Sequence, residues 1–436
     1  MISQKISFIH CADLHLDSPF VGLSDISQPL GTRLRKATFQ AFENVVSYAI
    51  KNRSDFLVIS GDIYDGADRS VRAQVFLLNQ LKRLSDAGIP SFIAHGNHDA
   101  LSGWEMDRDL PPLATRFGPE VESVPLVLRG ETVGTVHGYS YPVRDVGGNI
   151  AADFAGRRGE GLNIAVLHCN VGGRPDYENY APCSLDDLRA AGMDYWALGH
   201  IHAAEIVHYD PLVVYPGNTQ GRSIRETGKK GFYSVTITPA SGSVPAAGSA
   251  EFVPCDVIRW RDEELSIEGM QRDEDLFTAI ESVKERVRHD SAGRPTLLRV
   301  RLSGRGRLHE QLGRPGFLAG ADGLRGTFNE HEEDRPDFVS IERISSVTAP
   351  PLDTDSLMSG DHFVADFLKE AASFRERGDL RSGVRAILEE DGLMGRLASR
   401  EIQQRLDAFS DEQLAELVNR GAYAALTQLL EGEDAS

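Results

Sequence analysis

The sequence predicts an α/β protein in three parts: a strand–helix domain over residues 1–265, a small α+β domain over 266–348, and a helical segment over 356–436. Three observations carry that expectation. Short apolar runs alternate with helical stretches in the first part, the rhythm of strands buried between helical layers. After "DVIRWRDEELSIEG" the spacing changes to one amphipathic helix followed by two separated strands. Beyond the proline-containing linker "TAPPLDTDS" only helical patterns remain. A chain of 436 residues also exceeds one ordinary core, so two or three domains are expected from length.

The elements follow in order. "ISFIHCAD" reads as a strand, residues 31–52 as a helix, "DFLVISGD" as a second strand, 69–87 as a second helix and "PSFIAHGN" as a third strand. "PLVLRG", "ETVGTVHG", "NIAVLH", "YWALGH", "PLVVYPGN" and "GFYSVTITP" come at closer spacing, partly as hairpins. "PASGSVPAAGSA" (239–250) is a polar loop of small residues between two strands. Residues 272–288 form an amphipathic helix with Leu276, Phe277, Ile280, Val283 and Val287 on one side. "TLLRVRLSG" alternates Leu298, Val300 and Leu302 with Arg299 and Arg301, a half-exposed strand, and "FVSIERISSV" is another. In the last segment Phe363, Val364, Phe367, Leu368, Ala371 and Phe374 share a helical face. "SDEQLAELV" opens with Ser410 and Gln413 in capping-box spacing and continues to Leu414, Leu417, Val418, Leu426, Leu429 and Leu430.

Composition narrows the function classes. Hydrophobic residues make up 41 % and charged residues 25 % of the chain, a globular balance. No apolar run approaches the ~18 residues of a membrane span. The N-terminus shows no secretory signal pattern, so a cytoplasmic protein is expected. Cys11, Cys169, Cys183 and Cys255 lack CxxC spacing, which indicates neither a zinc knuckle nor a disulfide framework. With 46 basic and 65 acidic residues the net charge is −19. That opposes a large electropositive surface gripping DNA unaided. It leaves room for metal ions that reverse the sign inside one cleft. There is no GxxxxGK[ST] loop and no GxSxG elbow, so neither ATP hydrolysis nor a serine-based hydrolase is indicated.

The chemistry collects at strand ends. The first strand ends in Asp13 and His15, the second in Asp62 and Asp65, and the third in Asn97, His98 and Asp99. "NIAVLHC" ends in His168 and "YWALGHIH" in His200 and His202. Polar groups at the carboxyl ends of successive strands converge on one crevice in an open α/β sheet. Imidazole and carboxylate without thiolate suit Mn²⁺, Fe²⁺ or Zn²⁺. Asp62, behind the small Gly61, is the natural bridge between two such ions, and His200 and His202 can serve different ones.

The pattern "DLH…GDIYD…GNHD…H…GHIH" over residues 13–202 resembles the full signature of the calcineurin-like metallophosphoesterase superfamily. "CADLHLDSPF" and "YPGNTQGRSIRETGKKGF" are similar to its SbcD-type DNA-repair exonuclease branch, particularly the YhaO-like members. The resemblance implies a four-layer αββα sandwich followed by a capping domain. It implies two divalent ions, Mn²⁺ before Fe²⁺ or Zn²⁺: one held by Asp13, His15, Asp62 and His202, the other by Asp62, Asn97, His168 and His200. His98 would stand over the phosphate as transition-state donor or general acid, oriented by Asp99. Asp65 stands where some relatives have histidine, so substrate positioning does not carry over. The implied activity is metal-dependent phosphodiester hydrolysis of DNA by a nuclease subunit. The same metals would also serve a phosphoesterase of small nucleotides or phosphoproteins, and a third reading is a regulatory scaffold that kept the fold. Implied partners are DNA and a coiled-coil SbcC-like or YhaN-like ATPase docked on the C-terminal helices. A homodimer is compatible with this reading.

The remaining candidates have plainer readings. His10, His95, His137 and His208 are expected to be satisfied structural histidines, and Cys11 and Cys169 to be packing. Asp17 fits either a supporting role or a turn before Ser18-Pro19. Arg222, Arg225, Lys229 and Lys230 lie in a loop that either contacts phosphates or is merely solvated. The tyrosines of "GGRPDYENYAP" either stack on bases or pack in the loop.

Overall fold

The structure, a computed structural model, describes residues 5–20, 28–66, 70–239, 247–320, 322–351 and 363–376, with a few isolated positions beyond. The chain divides into two units, Met1–Ala349 and Pro350–Ser436.

In the first unit, β1 (Ile6–Cys11), β2 (Phe56–Ser60) and β3 (Ser91–Ala94) run parallel, with α1 (Gln28–Lys51) and α2 (Val71–Asp86) as crossovers. The strands are mainly apolar because both faces are covered, with Ser7 and His10 as the polar residues inside β1. Along β2, Phe56 and Val58 enter one core with Phe8, Phe92 and Phe117. Leu57 and Ile59 enter another with Val45, Leu77 and Leu81 of the two helices. β4 (Ala114–Arg116) extends this sheet.

The chain then builds a second sheet from β5 (Glu122–Leu128), β6 (Glu131–Gly138), β7 (Leu162–His168), β8 (Tyr195–Gly199), β9 (Glu205–Tyr209) and β10 (Leu212–Tyr215). The short α3 (Leu185–Ala190) precedes β8. The chain returns to the first sheet with β11 (Gly231–Thr238), antiparallel to β1, and β12 (Ala247–Pro254), antiparallel to β11. The strand orders are β12-β11-β1-β2-β3-β4 and β5-β6-β7-β8-β10-β9. Period-2 alternation sorts β7 and β8 in the same way. Ile164, Val166, Tyr195 and Ala197 meet the first sheet, while Ala165, Leu167, Trp196 and Leu198 meet Phe154 and Leu188 outside. Helix, sheet, sheet and helix thus stack in the expected four layers. Residues 247–250, read from sequence as loop, belong to β12, where Ala247 to Ala250 pair with Thr238 to Val235. Their small side chains give no apolar period, and only the partner strand shows the pairing.

The small domain has three parallel strands, β13 (Arg259–Ser266), β14 (Thr296–Ser303) and β15 (Val339–Ser346). Between them run α4 (Asp273–Asp290), α5 (His309–Leu312) and α6 (Leu324–Asn329). Its core joins Leu276, Ile280, Val283 and Val287 to Leu298, Val300 and Leu302, while Arg301 is exposed, as the alternation predicts. The sheet starts at Arg259, inside the stretch assigned on sequence to the first domain, because a strand's pattern does not say which sheet it joins. Trp260 of β13 packs with Leu30, Leu34 and Ala37 of α1 and with Phe338, tying the small domain to the sandwich.

In the second unit, α7 (Phe363–Glu376) is helical, with Ala365 and Leu368 buried and Phe367 half-buried. The side chains of Phe363, Val364, Ala371 and Phe374 lie outside the described set, as do Leu417, Val418, Leu426, Leu429 and Leu430. The expected capping box is present: Ser410 N donates to Gln413 Oε1 at 2.8 Å and Gln413 N to Ser410 Oγ at 3.2 Å. No helix among the described residues is long and apolar enough to cross a membrane.

Candidate metal centre

The carboxyl ends of β1, β2 and β3 meet those of β7 and β8 at one edge of the sandwich. The contact is close enough to demand glycine. A Cβ on Gly199 would stand 1.9 Å from Ser60 O, and one on Gly96 would stand 2.3 Å from Asp62 Oδ1. Asp13, His15, Asp62 and His200 all have positive φ, between 43° and 97°. Such a conformation costs a non-glycine residue about 1–3 kcal/mol and concentrates where function requires a fixed aim.

Asp62 is central. Its Oδ2 lies 3.4 Å from His168 Nε2 and 3.9 Å from His15 Nε2, while its Oδ1 accepts from His98 N at 2.9 Å. His168 Nε2 is also 3.0 Å from Asn97 Oδ1. On the other side, His202 Nε2 is 3.2 Å from His15 Nε2 and 3.9 Å from Asp13 Oδ1. The ligand atoms of Asp13, His15 and His202 lie within 4.8 Å of one another, as do those of Asp13, Asp62 and His168. His200 enters differently. Its amide donates to Asp13 Oδ1 at 3.1 Å, and its ring stands edge-on to His168 with centroids 5.3 Å apart.

Acceptors outside the cluster set the tautomers. His168 Nδ1 donates to Ser60 O at 3.0 Å and His202 Nδ1 to Glu226 Oε1 at 2.6 Å, so in each ring Nε2 is the nitrogen left to face the cluster. His200 Nε2 donates to Glu178 O at 2.8 Å, which leaves Nδ1 as its lone-pair nitrogen.

These residues fit divalent cations. The His15 and His202 Nε2 atoms face each other closely, an arrangement that needs a proton or a shared cation between them. His15 Nδ1 is buried without a hydrogen-bond partner among the described residues. Burial pushes the Asp13 carboxyl up, and pushes the His200 imidazole down to about 4. Burial also resists charge on His168 and Asp62, yet each outweighs it for the other. His168 is lifted to about 9 and Asp62 is held well below the carboxylate range. A cation bound there has to displace the His168 proton.

One expected role is corrected. Asp99 does not orient the His98 ring: its Oδ1 accepts from Gly96 N at 2.7 Å, and its Oδ2 from Ile63 N at 2.8 Å and His95 Nδ1 at 3.0 Å. It braces the loop. The carboxylate at His98 Nδ1 is Asp65, at 2.8 Å. The Asp65 hydrogen bond raises the His98 imidazole above its ordinary value against the effect of burial. Arg222 Nη1 donates to Asp65 Oδ2 at 3.0 Å and to Ser18 Oγ at 2.8 Å. Sequence reading singled out the bases of this loop but passed over Glu226.

The plainer readings divide. His10 donates or accepts with Tyr195 Oη and Ser60 Oγ, both at 2.8 Å, and burial lowers it to about 3, so it is a neutral core residue. His137 bonds Ser123 and Asn163, and His208 Nδ1 lies against Pro211 O. Cys11 and Cys169 are buried. Asp17 accepts from Ser70 Oγ, the N-cap of α2, at 2.6 Å. Lys230 Nζ donates to His202 O at 2.8 Å, whereas Arg225 and Lys229 are exposed. Tyr177 and Tyr180 each stand 5.8 Å, ring to ring, from His200.

Two family models match the sequence: calcineurin-like phosphoesterase over residues 6–204, and the middle domain of metallophosphoesterase YhaO over residues 260–349. The second begins at β13. The uncharacterized metallophosphoesterase YhaO of Bacillus subtilis is 35% identical over 301 residues, covering 69% of this chain and 72% of that protein. The DNA double-strand break repair protein Mre11 of Aeropyrum pernix is 28% identical over 253 residues, covering 54% of this chain and 58% of that protein. The Mre11 protein of Sulfolobus acidocaldarius is 22% identical over 384 residues, covering 84% of this chain and 90% of that protein.

Proposed function

Since the chain belongs to the calcineurin-like metallophosphoesterases, hydrolases that use divalent metals, and carries a YhaO-type middle domain, we propose that it hydrolyses phosphodiester bonds in DNA as the nuclease subunit of a repair complex. The observation that carries this reading is the convergence of four histidines, Asp13 and Asn97 around Asp62, with His98 beside them. Asp13, His15, Asp62 and His202 would hold one ion, and Asp62, Asn97, His168 and His200 the other. Two such ions supply charge neutralisation on the phosphoryl oxygens and an acidified water. His98, its Nδ1 fixed by Asp65, presents Nε2 to the leaving oxygen as a proton donor. DNA is favoured over a small ester by the aligned Mre11 relatives and by the domain that follows the sandwich. Manganese is the metal we expect to support the highest rate.

The test is a metal-reconstituted assay on labelled duplex and single-stranded DNA, bis-p-nitrophenyl phosphate and mononucleotides. Mn²⁺-dependent cleavage of DNA and the aryl diester, abolished by chelation, is the expected result. Turnover of mononucleotides with DNA left intact would replace this reading with that of a small-nucleotide phosphoesterase.

The same reading gives the second unit a partner. With a charge of −19 and no ATP-binding motif, the chain is poorly suited to grip and feed DNA alone. We propose that the helices beyond the linker dock a coiled-coil ATPase by their apolar faces. Truncation after residue 355 should preserve cleavage of bis-p-nitrophenyl phosphate while abolishing ATPase co-purification and ATP-stimulated DNA degradation. Full-stoichiometry co-purification of the truncated chain would move the docking site elsewhere.

A further inference from the structure

We infer that the loop Gly221–Lys230 is a positioning clasp, in which Glu226 aims the imidazole of His202 while Arg222 holds the Asp65–His98 pair. The inference rests on the proposed roles of His202 and His98, and extends them to residues outside the proposed ligand set.

The geometry links both halves of the centre through five residues. Glu226 Oε1 accepts from His202 Nδ1 at 2.6 Å and its Oε2 from Arg222 N at 2.6 Å. The Arg222 side chain then reaches Asp65 at 3.0 Å, and Asp65 reaches His98 at 2.8 Å. The Glu226 side chain is only 11% exposed. Placing a carboxylate there costs desolvation, offset only because both oxygens receive directed hydrogen bonds.

Two observations separate a clasp from an ordinary satisfied loop. The first is asymmetry: His168 and His200 donate to neutral backbone carbonyls, Ser60 O and Glu178 O, whereas His202 donates to a carboxylate. A charged acceptor raises the basicity of the opposite nitrogen more than a neutral one does. The cation bound by His202 should therefore be the more tightly held of the two.

The second is anchorage. Trp260 Nε1 donates to Gly221 O at 3.2 Å and Gly228 N to Trp260 O at 3.0 Å, so β13 of the small domain grips the loop at both ends. Lys230 Nζ closes the loop on His202 O at 2.8 Å. A Cβ on Gly221 would stand 2.6 Å from Glu226 O, so the turn closes tightly there.

The test is Mn²⁺ titration calorimetry on the full-length chain, with thermal unfolding of each variant as a control for folding. In Glu226→Ala the tighter of the two Mn²⁺ binding steps should weaken by about 10–100-fold, with the other unchanged. Glu226→Gln, which keeps an acceptor oxygen for Nδ1, should recover part of that loss. Arg222→Met should leave both binding steps at wild-type strength. It should lower kcat on DNA more than on bis-p-nitrophenyl phosphate, whose aryl oxide leaves without a proton. Two unchanged Mn²⁺ constants in a folded Glu226→Ala protein would overturn the inference. So would equal weakening of both steps with no recovery in Glu226→Gln. Wild-type protein that bound no Mn²⁺ would overturn the metal reading itself, while intact two-site binding without DNA cleavage would overturn only the substrate.

Discussion

Replacing Asp62 with alanine should weaken both metal sites together, by about 10–150-fold each, and remove hydrolysis of DNA and of bis-p-nitrophenyl phosphate alike. The expectation follows from where its Oδ2 points. Oδ2 faces His168 Nε2 at 3.4 Å and His15 Nε2 at 3.9 Å, so one carboxylate addresses both halves of the cluster. It is 1 % exposed and ionised, and a charge-assisted contact of this kind contributes about 1.5–3 kcal/mol, or roughly 10–150-fold in affinity. Removing it also leaves His168 with less to offset its burial. Asp62→Asn, which keeps the volume and Oδ1 as an acceptor for His98 N, separates charge from packing. Metal content by elemental analysis and binding constants by calorimetry read the outcome. Two tightly bound ions in Asp62→Ala would place the bridge elsewhere.

The second large effect is kinetic, without loss of metal. His98→Ala should retain both ions and unfold near the wild-type temperature, since its side chain is 36% exposed and its amide still donates to Asp62. Turnover of DNA should fall about 10²–10⁴-fold, the usual contribution of a positioned proton donor. The deficit should shrink on bis-p-nitrophenyl phosphate. Asp65→Asn should show the same substrate dependence in weaker form, because Asn keeps an acceptor for His98 Nδ1 but not its charge. Asp99→Asn should instead act mainly on stability, through the amides of Ile63 and Gly96. Near wild-type DNA turnover in a folded His98→Ala protein would remove the proposed role.

Much of the molecule was legible before the structure. Strands covered on both faces show as mainly apolar runs, and helices covered on one face show as a 3.6-residue period. β1, β2, β3, β7 and β8 and helices α1, α2 and α4 therefore followed from local pattern. Short or small-residue elements did not: α3 has six residues and one buried leucine, and β12 begins with Ala-Gly-Ser-Ala. Their stability comes from neighbours distant in sequence.

The same division holds at the centre. Residue types at strand ends gathered Asp13, His15, Asp62, Asp65, Asn97, His98, Asp99, His168, His200 and His202 at one crevice, because parallel strands deliver their carboxyl ends to a common edge, while the choice of ligands among them came from the family resemblance. Which carboxylate serves His98, and which acceptor sets each imidazole's tautomer, was decided only by the tertiary structure. Asp65 comes from the end of β2 and Glu226 from the loop before β11, at 2.8 Å and 2.6 Å from their histidines. Asp99, adjacent to His98 in the chain, turns to His95 and the loop amides instead. Hydrogen bonding depends on direction and on a few tenths of an ångström. A linear pattern carries spacing along the chain, whereas these distances are set by how two sheets and a loop anchored on Trp260 pack together.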